Sequence, residues 1–217
     1  MKQVVNFLVL GVNFTVLADL LFVPAGTFAW PAGWAILILI SGPLLLMTRA
    51  LSRDDPALFG DRMQPPSQKG LPVRDRIYRL YLASILIGSY FLSFRAGGFR
   101  WWSATPVGLR WLGAAGILIS MWIMFRKFHA NPFCRNYAVV TKGPYGYVRQ
   151  PLFAATLLLL ASAALMLGSW FGLAAMILPA GVLILCTAWE DRELHRSLDG
   201  YADYARRVRY RLVPWVW

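Results

Sequence analysis

The stretch that decides the fold runs from Pro151 to Trp189 and reads PLFAATLLLLASAALMLGSWFGLAAMILPAGVLILCTAW, without one charged residue. It is nearly twice as long as the ~20 residues that one membrane helix needs. The pair Gly168-Ser169 lies near its middle and favours a tight turn. The stretch therefore predicts a helical hairpin in the membrane, with arms of about 17 and 20 residues.

Four more apolar stretches precede the hairpin, and each is long enough to cross a bilayer once. They cover Val4–Val23, Trp30–Met47, Ile77–Phe94 and Val107–Phe125. Together with the hairpin they predict an all-α integral membrane protein with about six transmembrane helices. We expect one membrane domain over residues 1–217, with four N-terminal helices in 1–125 and a loop, the hairpin and a tail in 126–217.

Composition and charge support this prediction and indicate an orientation. The chain is 58% apolar and 15% charged, whereas soluble domains carry about 25% charged residues. Six crossings put all of its 22 lysines and arginines on one side except Arg95, Arg100 and Arg110. Because basic loops stay in the cytoplasm, both termini should be cytoplasmic, and the compact loops suggest a bacterial inner membrane.

The charge and the cysteines of the sequence do not indicate a nucleic-acid partner, a metal site or disulfides. The net charge of +12 would suggest nucleic acid in a soluble protein, but here the basic residues all lie within reach of membrane segments and suit lipid headgroups. Cys134 and Cys186 lack the spacing of metal ligands. We therefore expect no nucleic-acid partner, no metal and no disulfide framework.

The loop before the hairpin contains residues that suit an anionic ligand. Gly143-Pro144 is a turn signal, and Pro151 can occupy the first turn of the following helix. A helix N-terminus attracts carboxylates and phosphates, and Arg149 adds a full positive charge. Three aromatic side chains could enclose an adenine or a sulfonium: Tyr145, Tyr147 and Phe153. The alternative is a headgroup-facing loop with interfacial tyrosines and a snorkelling arginine.

Acidic residues gather directly after the hairpin, in the segment Glu190-Asp191-Arg192-Glu193. Acids at a helix C-terminus oppose the helix dipole, which suggests that they hold a cation or a ribose. The alternative is that they pair with nearby arginines such as Arg192 and Arg196. Further on, Leu194-Leu198 and Tyr201-Tyr204 have helical spacing, which predicts an amphipathic C-terminal helix docked at the cytoplasmic surface.

In this order, astride a hairpin, these motifs resemble the isoprenylcysteine carboxyl methyltransferase family, to which phospholipid methyltransferases are similar. The resemblance covers roughly residues 131–217 and rests on Gly143-Pro144-Tyr145, Arg149-x-Pro151, Glu190-Asp191-x-x-Leu194, Tyr201-x-x-Tyr204 and Arg207-Val…Pro214. It implies that S-adenosylmethionine binds in a cytoplasm-facing pocket beneath the C-terminal helix. A lipophilic methyl acceptor would enter from the bilayer between helices.

The resemblance also implies roles for individual residues. Glu190 and Arg149 are the predicted catalytic residues, and the predicted substrate-binding residues are Tyr201, Tyr204 and Arg207. The predicted cofactor-binding residues are Tyr137, Ala138, Val139, Val140, Gly143, Pro144, Tyr145, Arg149, Gln150, Pro151, Leu152, Phe153 and Glu190.

Two departures from the family pattern bear on cofactor and acceptor. Gln150 stands where the family usually has a histidine, and its amide can still donate to a carboxylate. Cys186 stands where the animal enzymes place an arginine that meets the substrate carboxylate, which argues against prenylcysteine as acceptor. A phospholipid amine, a small thiol, and a non-enzymatic membrane protein with the same fold stay open as alternatives.

Overall fold

The computed structural model describes residues 2–54, 79–80, 83, 86, 105–130, 139, 141–168 and 170–217, and those with regular structure are helical. Seven α-helices and one 3-10 turn follow one another in this part of the chain. They are α1 (Lys2–Ala25), α2 (Pro31–Asp54), α3 (Val107–Ala130), the 3-10 turn (Gly143–Gly146), α4 (Pro151–Leu167), α5 (Trp170–Ala175), α6 (Ile177–Ser197) and α7 (Tyr201–Arg207). The predicted all-α fold is confirmed.

Three segments of these helices are long and apolar enough to span a membrane: Pro31–Ala50, Val107–Lys127 and Gly172–Ser197. Two shorter apolar helices, Phe14–Ala25 and Pro151–Leu167, accompany them. Five of the six predicted crossings therefore coincide with helices. The predicted crossing at 77–94 falls almost entirely outside the described residues.

The predicted hairpin is present, and its turn lies at Gly168. This residue ends α4 with a left-handed backbone (φ 73°), and its N–H donates to the carbonyl of Leu165. A Cβ at this position would lie 2.9 Å from Oγ1 of Thr105 and 3.1 Å from Nε of Arg110. Glycine is required here both by the backbone conformation and by the close approach of these two side chains.

Helix α3 lies along α4, and small residues allow the two backbones to approach closely. A Cβ on Gly113 would lie 2.5 Å from the backbone nitrogen of Met166 and 2.6 Å from the carbonyl oxygen of Ser162. The hydroxyl of Ser120 donates to the carbonyl of Ala155 and links the same two helices. This contact fixes α4, whose first residues form the candidate site.

The apolar core of the bundle joins the N-terminal helices to the hairpin. Its buried members come from helices α1 to α4, from the residue just before α2 and from the residue between α5 and α6. They are Leu21, Phe22, Ala25, Trp30, Ile36, Leu37, Ile117, Leu160, Ala163, Ala164 and Met176. A second cluster contains Phe153, Leu183, Cys186 and Leu212. It brings the C-terminal segment against the hairpin.

The predicted amphipathic tail helix is shorter than expected. Helix α7 covers only Tyr201–Arg207, and it turns Tyr201 and Tyr204 inward while Asp203, Arg206 and Arg207 are exposed. Residues 208–217 leave the helix and fold back towards the start of α4. Leu194, which was expected to be part of this tail, belongs instead to α6, because α6 continues to Ser197.

Candidate functional site

The start of α4 is held by the C-terminal segment. The N–H of Arg149 donates to the carbonyl of Tyr210, and the N–H of Gln150 donates to the carbonyl of Arg211, each at 2.9 Å. The two N–H groups directly precede a helix, where backbone donors lack partners within the helix, and these bonds supply their acceptors. Residues 149–150 and 210–211 therefore form one short paired segment, although about sixty residues separate them in the sequence.

Asp191 is the centre of the polar network at this end of the protein. Its side chain is almost fully buried, and Oδ1 lies 2.9 Å from Nη1 of Arg149. The same oxygen accepts the hydroxyl of Tyr201 at 2.8 Å, and Oδ2 accepts Nε of Arg211 at 3.0 Å. One carboxylate thus joins the start of α4, helix α7 and the C-terminal segment.

This arrangement bears on the alternatives that the sequence left open for Arg149 and for the acidic segment. Arg149 is only 9% exposed and paired with Asp191, so the interpretation as a snorkelling, headgroup-facing arginine is wrong. Asp191 does not pair with Arg192 or Arg196, the neighbours expected from the sequence, but with Arg149 and Arg211. The expectation that the acids end the helix was also wrong, because α6 places His195 and Arg196 in its last turn.

Arg149 has one donor left over. Its Nε is buried and has no hydrogen-bond partner among the described residues. Gln150 precedes α4, is itself buried, and makes no capping hydrogen bond with its side chain to the described backbone. A buried donor without an acceptor costs about 1–3 kcal/mol, so the guanidinium and the helix start together suit an anionic group.

Tyr201 and Tyr204 of α7 connect to the same polar network through their hydroxyls. Tyr204 donates its hydroxyl to the carbonyl of Tyr145 at 2.8 Å, as Tyr201 does to Asp191. Burial raises the pKa of both tyrosines, and the negative charge of Asp191 raises that of Tyr201 further. Both hydroxyls therefore stay protonated at neutral pH and act as donors, which positions the Gly143–Gly146 turn and Asp191.

Glu190 lies at the same end of the protein as Arg149. It directly precedes Asp191, and its side chain is half-buried. The structure thus brings together the two segments that the sequence singled out, on one side of the hairpin. The assignment of Glu190 and Arg149 as catalytic residues stays a prediction.

The other predicted residues fall into three groups. Val139 is half-buried and packs against a cluster of Tyr201, Tyr204 and Val208, while the predicted cofactor residues Tyr137, Ala138 and Val140 lie outside the described residues. At the start of α4, Pro151 and Phe153 are buried and Leu152 is half-buried. In the 3-10 turn before α4, Pro144 and Tyr145 are half-buried and Gly143 is exposed. Tyr147 and the predicted substrate residue Arg207 are exposed.

Sequence reasoning missed Asp191 as the organising acid and Arg211 as its partner. The spacing of residues along α6 could have indicated that Asp191 is buried. Leu183, Thr187 and Asp191 are spaced four residues apart and are all buried, as one face of a helix requires. Arg211 carried no comparable signal, because its position depends on the fold of the C-terminal segment.

Part of the chain is similar to a known protein family. Residues 107–198 match the family model described as phospholipid methyltransferase, and no curated protein matches the chain. The matched region runs from α3 through α6 and contains Arg149, Glu190 and Asp191. The resemblance inferred from the motifs is thereby confirmed at family level. Residues 107–198 are thus similar to the phospholipid methyltransferase family.

Proposed function

We propose that this protein uses S-adenosylmethionine to methylate a lipophilic acceptor at the membrane interface. The observation that carries the proposal is the buried Arg149 at the start of α4, held by Asp191 and left with an unpartnered Nε among the described residues. The family match to residues 107–198 supplies the reaction class. The cofactor and the acceptor are the proposed part.

The residues present fit this cofactor at its anionic end. Arg149 offers a buried donor, and the first N–H groups of α4 add the positive end of a helix dipole. Gln150, in the position of the usual histidine, is also buried beside them. Together these groups would hold the carboxylate of the methionine part without needing a charged imidazole.

When bound, S-adenosylmethionine supplies a methyl group carried on a positively charged sulfur. The protein's contribution is then to position the cofactor, to exclude water and to place negative charge correctly. Asp191 fixes Arg149, and Tyr204 fixes the turn that carries Tyr145. Glu190 stabilises the cationic end and accepts a proton if the acceptor is an amine or a thiol.

Cys186 bears on which kind of molecule accepts the methyl group. Cys186 is fully buried in the cluster with Phe153, Leu183 and Leu212. A thiol carries no positive charge, so Cys186 cannot pair with a substrate carboxylate as an arginine would. This observation favours a phospholipid amine or a small thiol over a prenylcysteine carboxylate as the methyl acceptor.

Glu190→Gln should lower methyl transfer by roughly 100-fold or more, because loss of a positioned proton acceptor typically costs about 10²–10⁴ in rate. Membranes containing the protein would be given methyl-labelled S-adenosylmethionine, and label would be counted separately in lipid, protein and volatile products. Glu193→Gln is the matched control, since it removes the same kind of charge one turn further along α6. Full activity in Glu190→Gln would contradict the assigned role.

The fraction that receives the label also separates the possible acceptors. Label in the lipid fraction indicates a phospholipid amine, label in the volatile fraction a small thiol, and label in protein a prenylated chain. No transfer to any fraction, with the protein correctly inserted, would support a non-enzymatic member of the fold.

A further inference from the structure

The C-terminal tip, residues 213–216, exposes apolar side chains that the proposed reaction does not use. Val213 is 46% exposed, Trp215 85% and Val216 79%, and Trp215 is the most exposed large hydrophobic residue among those described. A tryptophan exposed to this degree on a turn suggests contact with another phase or molecule. Helix α7 and the tip lie beyond the segment that matches the family.

The tip is held in place by the fold on both sides. The N–H groups of Val216 and Trp217 both donate to the carbonyl of Val213, at 3.2 Å. The N–H groups of Arg211 and Leu212 donate to a main-chain oxygen of Trp217, at 2.8 and 3.1 Å. The tip is therefore a closed turn, and its exposed side chains are presented by a defined backbone.

Trp215 itself has an unusual backbone conformation. Its φ of 65° is the one positive value at a non-glycine residue in the described part of the chain. A bulky residue rarely adopts this conformation, and such strain is found where the surroundings impose it and where function uses it. The turn thus holds the indole outward against a local conformational preference.

The residue that precedes the tip packs against a helix that could span the membrane. Leu212, which precedes it, is buried in the cluster that contains Leu183 and Cys186 of α6. Leu183 is seven residues before Glu190, or about 10 Å along the helix, inside the candidate span Gly172–Ser197. Leu212, which directly precedes the tip, therefore packs beside the apolar part of α6.

Basic residues lie close to the tip along the chain. The Tyr210 ring lies 6.3 Å from that of Trp215, and the exposed Arg209 directly precedes Tyr210. Arg206 and Arg207, at the end of α7, are exposed as well. Tryptophan at the headgroup level with arginines beside it is the combination that anchors proteins to leaflets containing anionic lipid.

We propose that the C-terminal tip inserts into the headgroup region of the adjacent leaflet, with Arg206, Arg207 and Arg209 binding anionic headgroups. This proposal does not depend on the identity of the cofactor or acceptor. It has one consequence for the site. Because Tyr210 and Arg211 bond to Arg149 and Gln150, an anchored tip also fixes the segment that holds the start of α4.

The insertion can be measured with a fluorescent label on the full chain. Trp215→Cys would be prepared with Cys134 replaced by serine, labelled with an environment-sensitive fluorophore, and placed in vesicles of equimolar phosphatidylcholine and phosphatidylglycerol. Asp199→Cys is the matched control, because Asp199 is exposed between α6 and α7 and lies outside the ion pair of Asp203 with Arg206. We expect several-fold stronger quenching at 215 by lipids with a nitroxide near the headgroup, and stronger quenching at 199 by aqueous iodide.

Equal iodide quenching at both positions, without quenching by nitroxide lipids, would overturn the proposal. Disulfide formation between two unlabelled Trp215→Cys copies, with copper phenanthroline added as the oxidant, would also overturn it, since the tip would then cover a second copy. Intrinsic fluorescence provides a second test with a native-like chain. Brominated lipids should quench the wild-type protein more than Trp215→Phe, and an equal loss in both would contradict insertion.

The charge component is tested by lipid composition. Replacing phosphatidylglycerol with phosphatidylcholine should reduce nitroxide quenching at 215, because the three arginines lose their headgroup partners. Substituting all three arginines with glutamine should remove that dependence. A chain whose quenching is the same in neutral and anionic vesicles would contradict the proposed headgroup contact.

Discussion

Asp191→Asn should lower the free energy of unfolding by about 3–5 kcal/mol, the usual cost of removing one partner from a buried ion pair. The substitution keeps the shape of the side chain but leaves Arg149 buried without a counter-charge. It also weakens the contacts of Asp191 with Arg211 and Tyr201. We expect cofactor binding to weaken in parallel, because the orientation of Arg149 depends on this carboxylate.

The stability change would be measured by unfolding the protein in mixed micelles with increasing dodecyl sulfate. Asp203→Asn is the matched control, since Asp203 pairs with Arg206 at 3.5 Å while both side chains are largely exposed. Exposed pairs of this kind contribute about 0–1 kcal/mol. If Asp191→Asn were as stable as the control variant, the network would not hold the C-terminal segment in place.

Gly113→Val should disrupt the packing of α3 on α4. Any Cβ at this position would lie 2.5 Å from the backbone nitrogen of Met166 and 2.6 Å from the carbonyl oxygen of Ser162. Backbone atoms cannot move away as a flexible side chain can, so the helices must separate. We expect a loss of at least about 1–3 kcal/mol, the range for overpacking, together with loss of methyl transfer because α4 carries the site.

Gly108 on the same helix provides the comparison, because a Cβ there would have nothing within 4 Å. Gly108→Val should unfold at nearly the wild-type dodecyl sulfate concentration and keep its activity. Equal behaviour of the two variants would show that the close approach of α3 and α4 is not needed for stability.

Much of the fold could be predicted because membrane helices are long and apolar on most faces. The hairpin was predicted from Pro151–Trp189 alone, and its turn lies at Gly168 as expected. Helix ends were predicted less well. The polar residues after Trp189 suggested an end, whereas α6 continues to Ser197 because its last two turns pack against the tail.

The segments that form the candidate site could be predicted from the sequence, but the residues that pair with one another could not. Arg149 and the acidic segment were both found from the sequence, and the structure places them together. The choice of Asp191 over Glu190 as the partner depends on which face of α6 meets the start of α4. The role of Arg211 depends on backbone pairing between segments about sixty residues apart, which local propensities do not specify.

We propose above that S-adenosylmethionine binds at the start of α4, between Arg149 and Glu190. The most direct measurement is a calorimetric titration of the purified full-length protein in detergent with S-adenosylmethionine. We expect saturable binding at one site per chain, weakened at least tenfold by Arg149→Gln and unchanged by Glu193→Gln. A correctly folded protein that gives no binding heat and no thermal stabilisation at millimolar cofactor would contradict it.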